Sequence, residues 1–236
     1  MGFIDKVKNL LKGNETEPTQ TDDAEVTATG RVLDDHPSAK ITPSKLKQIL
    51  EDAENGDIQA QHQLFMDIEE QDSSIAANMM TRKRSVLTLD WRIVEPRNAT
   101  PAEEKLQAEI DELFYQYPNL EDLFIDLMDA VGHGFSALEI QWAQVDGKWV
   151  PKGFRPCPQP WFKLDKDDSL LLRTPANQMG EPLRPFGWVV HRHKSRSTQL
   201  ARDGLYRTLA WLYMYKHYSV RDFAEFLELY GKIGRA

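Results

Sequence analysis

The apolar residues of this chain change their spacing twice, and this change limits the possible folds more than any other feature. Between residues 43 and 131 they recur every three or four positions, as they do on one face of a helix. Between Phe135 and His191 they alternate over short segments, as in half-buried strands. From Gln199 to Tyr230 the helical spacing returns. We therefore predict an α+β fold with N-terminal helices, a central β region and long C-terminal helices.

Capping and turn residues set the expected bounds of these elements. A Thr-Pro pair, typical of a helix start, precedes two of the helical patterns, and Asp146-Gly147 predicts a hairpin turn. The predicted helices cover residues 43–53, 58–68, 75–85, 101–117 and 119–131. The predicted strands, which form a mixed or antiparallel region, cover residues 88–94, 135–142, 149–154, 162–164, 170–172 and 188–191.

The first 36 residues differ in composition from the rest. Residues 1–12 have the pattern of a short amphipathic helix, and because its apolar side is short we favour docking on protein over a membrane-surface anchor. Residues 13–36 are polar and acidic and predict a flexible linker. A single domain is then expected over residues 37–236. No uninterrupted apolar stretch of about 18 residues occurs, so the sequence predicts no membrane-spanning helix.

The segment 199–230 is rich in aromatic residues and predicts one long helix, or two abutting helices with Ser219 capping the second. Aromatic side chains occur on more than one face, so we expect protein around several sides of it. The side chains that we expect to form a packing or oligomer surface are Trp211, Tyr215, Tyr218 and Phe226.

The charge distribution indicates one local binding candidate. The chain carries 29 basic and 37 acidic residues, and a net charge of −8 argues against DNA binding by the chain as a whole. The segment 191–207 is nevertheless basic and precedes an expected helix start at Thr198. The candidate contacts with DNA phosphate are Arg192, Lys194, Arg196 and Arg202. Alternatively, these cations pair with acids of this chain or of a neighbouring subunit.

No catalytic, metal-binding or cofactor-binding motif stands out. Cys157, the single cysteine, predicts an inert thiol, and the glycine motifs that cradle phosphates or dinucleotides are absent. One alternative is a metal-dependent phosphodiesterase, and the residues that would serve it are Asp167, Asp168, His191 and His193. Neighbouring cations oppose a divalent ion there. Another alternative is a nucleic-acid-binding regulator that uses residues 191–207. We expect no enzyme activity, no metal and no cofactor, and favour an interaction protein.

Several stretches in the same order resemble the N-terminal half of a Mu-like bacteriophage portal protein. The resemblance runs from about His36 to Gly231. The most specific stretches are Gly132-His133-Gly134-Phe135-Ser136-Ala137-Leu138-Glu139-Ile140-Gln141-Trp142 and Tyr218-Ser219-Val220-Arg221-Asp222-Phe223-Ala224-Glu225-Phe226-Leu227-Glu228-Leu229-Tyr230-Gly231. Less specific stretches include Met80-Thr81-Arg82-Lys83-Arg84 and Leu89-Asp90-Trp91-Arg92-Ile93.

The resemblance implies a structural role in a ring, usually of about twelve subunits, at one vertex of the phage head. It implies as partners further copies of the chain, the terminase large subunit, the major capsid or scaffolding protein, head–tail connector proteins and the double-stranded DNA in the channel. It places the protein in the virion, and in the host cytoplasm during assembly. Portals of this family continue well beyond Gly231. We therefore expect a truncated chain with the wing and part of the core, without the clip and stem, that possesses no portal activity alone.

Overall fold

The computed structural model describes residues 5–7, 9, 17–24, 37–38, 41–195 and 199–231. In this part of the chain, helices and antiparallel sheets occupy separate stretches, so the α+β class is confirmed. The helices are α1 (Gln20–Asp23), α2 (Pro43–Glu54), α3 (Gln59–Gln71), α4 (Ser73–Ser85), α5 (Pro101–Tyr115), α6 (Leu120–Met128), α7 (Ala130–His133) and α8 (Leu205–Gly231). None of the described helices combines the length and apolar character that crossing a bilayer requires.

Side-chain caps begin three of these helices where the sequence predicts a start. The Thr42 hydroxyl accepts from the Lys45 N–H, and Asp72 accepts from Ser74 and Ile75. Thr100 forms a capping box with Glu103, in which each side chain accepts from the backbone of the other. Four of the five predicted helices are confirmed, with ends that differ by a few residues, whereas the predicted helix over residues 119–131 is divided into α6 and α7.

Two three-stranded antiparallel sheets follow the helices. The strands are β1 (Phe135–Val145), β2 (Lys148–Cys157), β3 (Phe162–Leu164), β4 (Leu170–Leu172), β5 (Glu181–Pro182) and β6 (Trp188–Arg192). The strand orders are β2-β1-β6 and β3-β4-β5. Asp146 and Gly147 join β1 to β2 with φ of 50° and 78°, the left-handed pair that a tight hairpin needs, as predicted.

The predicted strand over residues 88–94 is wrong. Val86–Thr88 form a 3₁₀ turn, and the following residues belong to neither sheet. Their polar backbone groups turn to α5 instead: the Ile93 N–H donates to Asp111 Oδ1 at 3.4 Å, and the Ile93 carbonyl accepts from Gln107 Nε2 at 2.6 Å. An alternating pattern makes a strand only when another strand supplies the hydrogen bonds.

The predicted linker does not hold for residues 17–24, which pack against the first sheet. Thr21 donates its N–H and hydroxyl to the buried carboxylate of Glu139. The Gln20 amide oxygen accepts from the Arg184 N–H and from Trp188 Nε1, both at 2.9 Å. A polar segment buries too little apolar surface to balance the conformational entropy that it loses on ordering. Here the hydrogen bonds to the sheet help to balance that loss. The remainder of residues 13–36 lies outside the described residues.

The N-terminal helix prediction is described only at residues 5–7 and 9, which are helical. Val7 is buried against Val145 and Val150, and Lys6 pairs with Asp146 at 2.6 Å. These described residues therefore dock on the chain's own hairpin. The rest of residues 1–12 lies outside the described part.

Two hydrophobic clusters form the interior. One lies around the sheets, where the Phe162 ring packs edge-on against both Phe135 and Trp188. The other lies among α2, α3 and the first half of α8, with Leu46, Phe65 and Tyr206 fully buried. Only the first part of α8, up to Tyr218, packs in this second cluster. The rest of the helix extends beyond the packed part of the chain, which is called the body below.

Candidate interaction surfaces

The first half of α8 is anchored in the body. Ala210, Tyr213 and Met214 are buried in the helical cluster, and the Tyr213 hydroxyl donates to Gln71. Lys216 donates to Asp72 Oδ2 at 2.7 Å, and this hydrogen bond holds the pKa of Asp72 below its ordinary value. These contacts fix the direction in which the rest of the helix extends.

The second half of α8 is not enclosed. Every residue from Ser219 to Tyr230 is exposed, a length of about 18 Å at the ordinary helical rise. The expectation of protein around several sides is therefore wrong for this half. Of the two predicted alternatives, one long helix is found, because the helix continues through Ser219, whose hydroxyl donates to the Tyr215 carbonyl.

The predicted aromatic surface divides between the two halves. Trp211 and Tyr218 are partly buried against the helical cluster. Tyr215 and Phe226 are exposed, and the Phe226 ring lies 4.3 Å from that of Tyr230, centroid to centroid. Tyr215 and Phe226 therefore offer the most surface for contact with another molecule.

The predicted basic surface already makes contacts with acids of this chain. Arg192 donates to the Asp168 carbonyl at 2.7 Å and lies 4.0 Å from its carboxylate. Arg202 lies 3.7 Å from Glu54. Lys194 is exposed, and Arg196 lies outside the described residues.

Sequence reasoning missed Glu54 and the geometry of the helix start. Glu54 pairs with Arg207 as well as with Arg202, although 153 positions separate it from Arg207. The helix α8 begins only at Leu205, after a 3₁₀ turn over Leu200–Arg202. The Leu200 N–H donates to Asp168 Oδ2 at 2.7 Å, so this backbone amide is already engaged within the chain. Thr198 itself lies outside the described residues.

The phosphodiesterase alternative gains no support. Among the described residues, the grouping of potential metal ligands is Glu69, Asp129 and His133, and the four residues that the alternative requires do not group. Burial, and then the proximity of His193, lowers the pKa of His191. Asp168 is engaged by Arg192 and Leu200, as described above.

The grouping of Glu69, Asp129 and His133 already holds a cation of its own. Lys83 Nζ lies 2.7 Å from Asp129 and 3.2 Å from Glu69. Burial opposes the charge of Lys83, but the Asp129 and Glu69 carboxylates outweigh it and raise the pKa of Lys83. The ammonium group therefore supplies the positive charge that these carboxylates require, and a metal ion would have to displace it.

The single thiol is buried and unreactive. Burial, together with the nearby charge of Glu139, raises the pKa of Cys157 to about 12. Since the thiolate is the nucleophile, this environment suppresses thiol chemistry near neutral pH, in agreement with the expected inert thiol.

The comparison with known proteins decides the family. The family model for the portal protein of Mu bacteriophage matches residues 62–234. The chain belongs to the Mu portal family. The resemblance seen in the sequence is thereby confirmed, and the Mu portal match extends from within α3 through the whole of α8.

Two relatives, one from a Mu-like prophage and one from phage Mu itself, are similar to this chain. The Mu-like prophage FluMu protein gp29 of Haemophilus influenzae is 40% identical over 201 residues. The portal protein of Escherichia phage Mu is 39% identical over 198 residues. Each alignment covers 84% of this chain but only 38% and 39% of the respective relative. The chain thus spans well under half the length of these two relatives.

Proposed function

We propose that the chain forms part of a phage or prophage portal vertex, the ring through which DNA is packaged and ejected. The observation that carries this proposal is the family match over residues 62–234, which includes both the sheets and the exposed end of α8. The role is structural rather than enzymatic. The α+β body would then form the wing and part of the core of the portal.

The exposed end of α8 supports a role in packing within or between subunits. Its apolar side chains, Tyr215 and Phe226 among them, lie outside the body where another chain segment can reach them. Large apolar surfaces of this kind mark interaction sites in soluble proteins. Trp211 and Tyr218, which pack partly buried against the helical cluster, would hold α8 in place next to that surface.

The basic residues support a second contact, with DNA phosphate or with acids of a neighbouring subunit. Arg192 and Arg202 keep about half of their side-chain surface exposed, 48% and 53%, despite their pairing with Asp168 and Glu54. Exposed ion pairs contribute only about 0–1 kcal/mol, so both arginines can exchange their partners at little cost. Lys194 and Arg196 would complete this surface.

The wider partners follow from the portal role. They are further copies in a ring of about twelve subunits, the terminase large subunit, the major capsid or scaffolding protein, head–tail connector proteins and the DNA in the channel. The location would be the portal vertex of the virion, and the host cytoplasm during assembly. The family match and the name of the phage Mu relative support the portal role itself, and these partners extend it.

A graft tests the proposal. Residues 62–234 of this chain would replace the matching region of the phage Mu portal protein, and the phage would depend on the graft for growth. We expect DNA-filled heads, at a yield within about tenfold of that of the unmodified phage. A folded, stably expressed graft that leaves every head empty would contradict the proposed role.

A further inference from the structure

An apolar stripe runs along the exposed side of α8, with the polar Ser219 at the same angular position. The side chains that form it are Leu212, Val220, Phe223, Phe226, Leu227 and Tyr230, each between 50% and 62% exposed. Four of them, at positions 220, 223, 227 and 230, alternate in steps of three and four residues. This spacing is that of the contact seam of a coiled coil, in which one helix packs along another.

The stripe is separate from the face that joins α8 to the body. At 3.6 residues per turn, it lies roughly a third of a turn away from the buried side chains Tyr206, Ala210 and Met214. Arg221 and Glu225 lie on the side opposite to the stripe and approach each other to 4.0 Å. The helix therefore has a polar back and an apolar front beyond the body, the pattern of a helix that packs on a partner.

Lys216 stands on the stripe between Leu212 and Val220 without interrupting it. Its ammonium group is drawn towards Asp72 Oδ2 at 2.7 Å. The methylene stem of a lysine held in this way remains available for apolar contact. The stripe thus extends over residues 212–230, about 28 Å of helix.

We propose that a second copy of this chain covers the stripe, with the two α8 helices packed antiparallel. Six side chains that each lose roughly 100 Å² on contact would bury roughly 600 Å² per copy. Two copies then bury roughly 1,200 Å², the lower limit for a specific and stable interface. The same seam on both copies satisfies the self-complementarity that a two-fold dimer requires.

The antiparallel arrangement follows from the position of the body. Each body surrounds the first half of its own α8, so antiparallel helices place the two bodies at opposite ends of the pair. Full overlap of the stripes then brings Leu212 of each copy opposite Tyr230 of the other. Antiparallel helices also place the positive end of each helix dipole near the negative end of the other.

This dimer is distinct from a portal ring and does not depend on the proposed function. A two-fold pair uses the same surface on both copies, whereas a closed ring joins two different surfaces of each subunit. The stripe cannot pack in both ways at once. The dimer is therefore a state in which the exposed half of α8 is withheld from ring assembly.

Light scattering on a sizing column, with the complete 236-residue chain over a range of concentrations, tests the proposal. We expect a mass of about 54 kDa, twice 27.2 kDa, that falls towards 27.2 kDa on dilution. A mass of 27.2 kDa at all concentrations would overturn the proposal. A ring of about 326 kDa, twelve times 27.2 kDa, would overturn it while supporting the proposed function.

Matched substitutions locate the contact. Leu227→Glu lies on the stripe and should raise the dissociation constant at least tenfold, with an unchanged circular dichroism spectrum. Leu229→Glu is the control, because Leu229 is also exposed, at 67% against 52% for Leu227, but lies off the stripe. Equal loss of the dimer in both variants would count against the stripe as the contact.

Cysteine crosslinking decides the orientation. A mixture of the Leu212→Cys and Tyr230→Cys chains should form a disulfide-linked heterodimer, since the antiparallel pair brings these positions together. Efficient crosslinking of Tyr230→Cys to itself would instead show a parallel pair and would overturn the arrangement. The buried Cys157 does not interfere with folded protein.

Discussion

His62 and His133 face each other in the interior, with their Nδ1 atoms 3.0 Å apart. Both rings are buried, His62 on α3 and His133 at the end of α7. One Nδ1 must donate and the other accept, so the pair is satisfied only while at least one ring is neutral. Burial lowers the pKa of both, and the Asp129 and Glu69 carboxylates partly oppose this for His133.

This histidine pair predicts a loss of stability on mild acidification. The unfolded chain takes up protons near the ordinary histidine pKa of about 6.5, whereas the folded chain resists them. Each buried histidine should therefore lower the free energy of unfolding by up to about 1.4 kcal/mol per pH unit below pH 6.5. Urea unfolding between pH 7.5 and 5 measures this slope.

One substitution assigns the slope to the pair. His62→Gln retains an amide donor for His133 but does not titrate, so the slope should fall by the share of one histidine. His191, whose pKa burial also lowers, contributes in the same direction in every variant. An identical slope in the parent chain and in His62→Gln would contradict the assignment.

Lys83 is expected to contribute more to stability than an ordinary surface lysine. Lys83→Met removes the cation between Asp129 and Glu69 and leaves two partly buried carboxylates without it. We expect a loss of about 3 kcal/mol in the free energy of unfolding at pH 7, measured by urea titration. Lys47→Met, which removes an exposed pair with Glu51, should change it by less than about 0.5 kcal/mol. Similar effects from both variants would refute the role of Lys83.

The close approach of α7 and α8 depends on the absence of a side chain at Gly132. A Cβ there would lie 2.8 Å from Cδ2 and Cζ of Tyr206, and closer still to Cε2. Gly132→Ala should therefore lower the free energy of unfolding by about 1–3 kcal/mol, measured by thermal or urea unfolding. Adding Tyr206→Ala should make the combined loss smaller than the sum of the two single losses. Strict additivity would show that the two residues do not conflict.

Neutralising the basic surface separates folding from assembly. Glutamine at positions 192, 194, 196 and 202 should change the melting temperature of the isolated chain by only a few degrees, since the described pairs are exposed. In the Mu portal graft, the same change should reduce ring yield or DNA retention. Glutamine at the exposed positions Lys47, Arg97, Lys105 and Lys166 alters the net charge equally and is the control. Equal assembly of the two charge variants would reject the proposed surface.

Elements with local signals were predicted well from the sequence. The hairpin at Asp146-Gly147 follows from turn chemistry, and the end of α7 at Gly134, with φ of 92°, follows from the glycine. The prediction of a strand over residues 88–94 was wrong because an alternating pattern cannot reveal whether a neighbouring strand exists. The prediction of a flexible linker was wrong for residues 17–24 because their ordering depends on contacts with Glu139, more than a hundred positions away.

The candidate surfaces were predicted in composition but not in contact. The arginines at 192 and 202 were identified, whereas their acidic partners lie in turns and helices distant in sequence. The many aromatic residues of α8 predicted that the whole helix is buried, yet its packing against the rest of the chain ends near Tyr218. The buried position of Lys83 was equally hidden, because cations are common in the last turn of a helix.

The subunit arrangement of the grafted protein tests the portal assignment most directly. Electron microscopy of the purified Mu portal protein carrying residues 62–234 of this chain would show its oligomeric state in top views. The account predicts closed rings with the same number of subunits as the unmodified portal protein. A graft that is folded by circular dichroism but remains monomeric would contradict it.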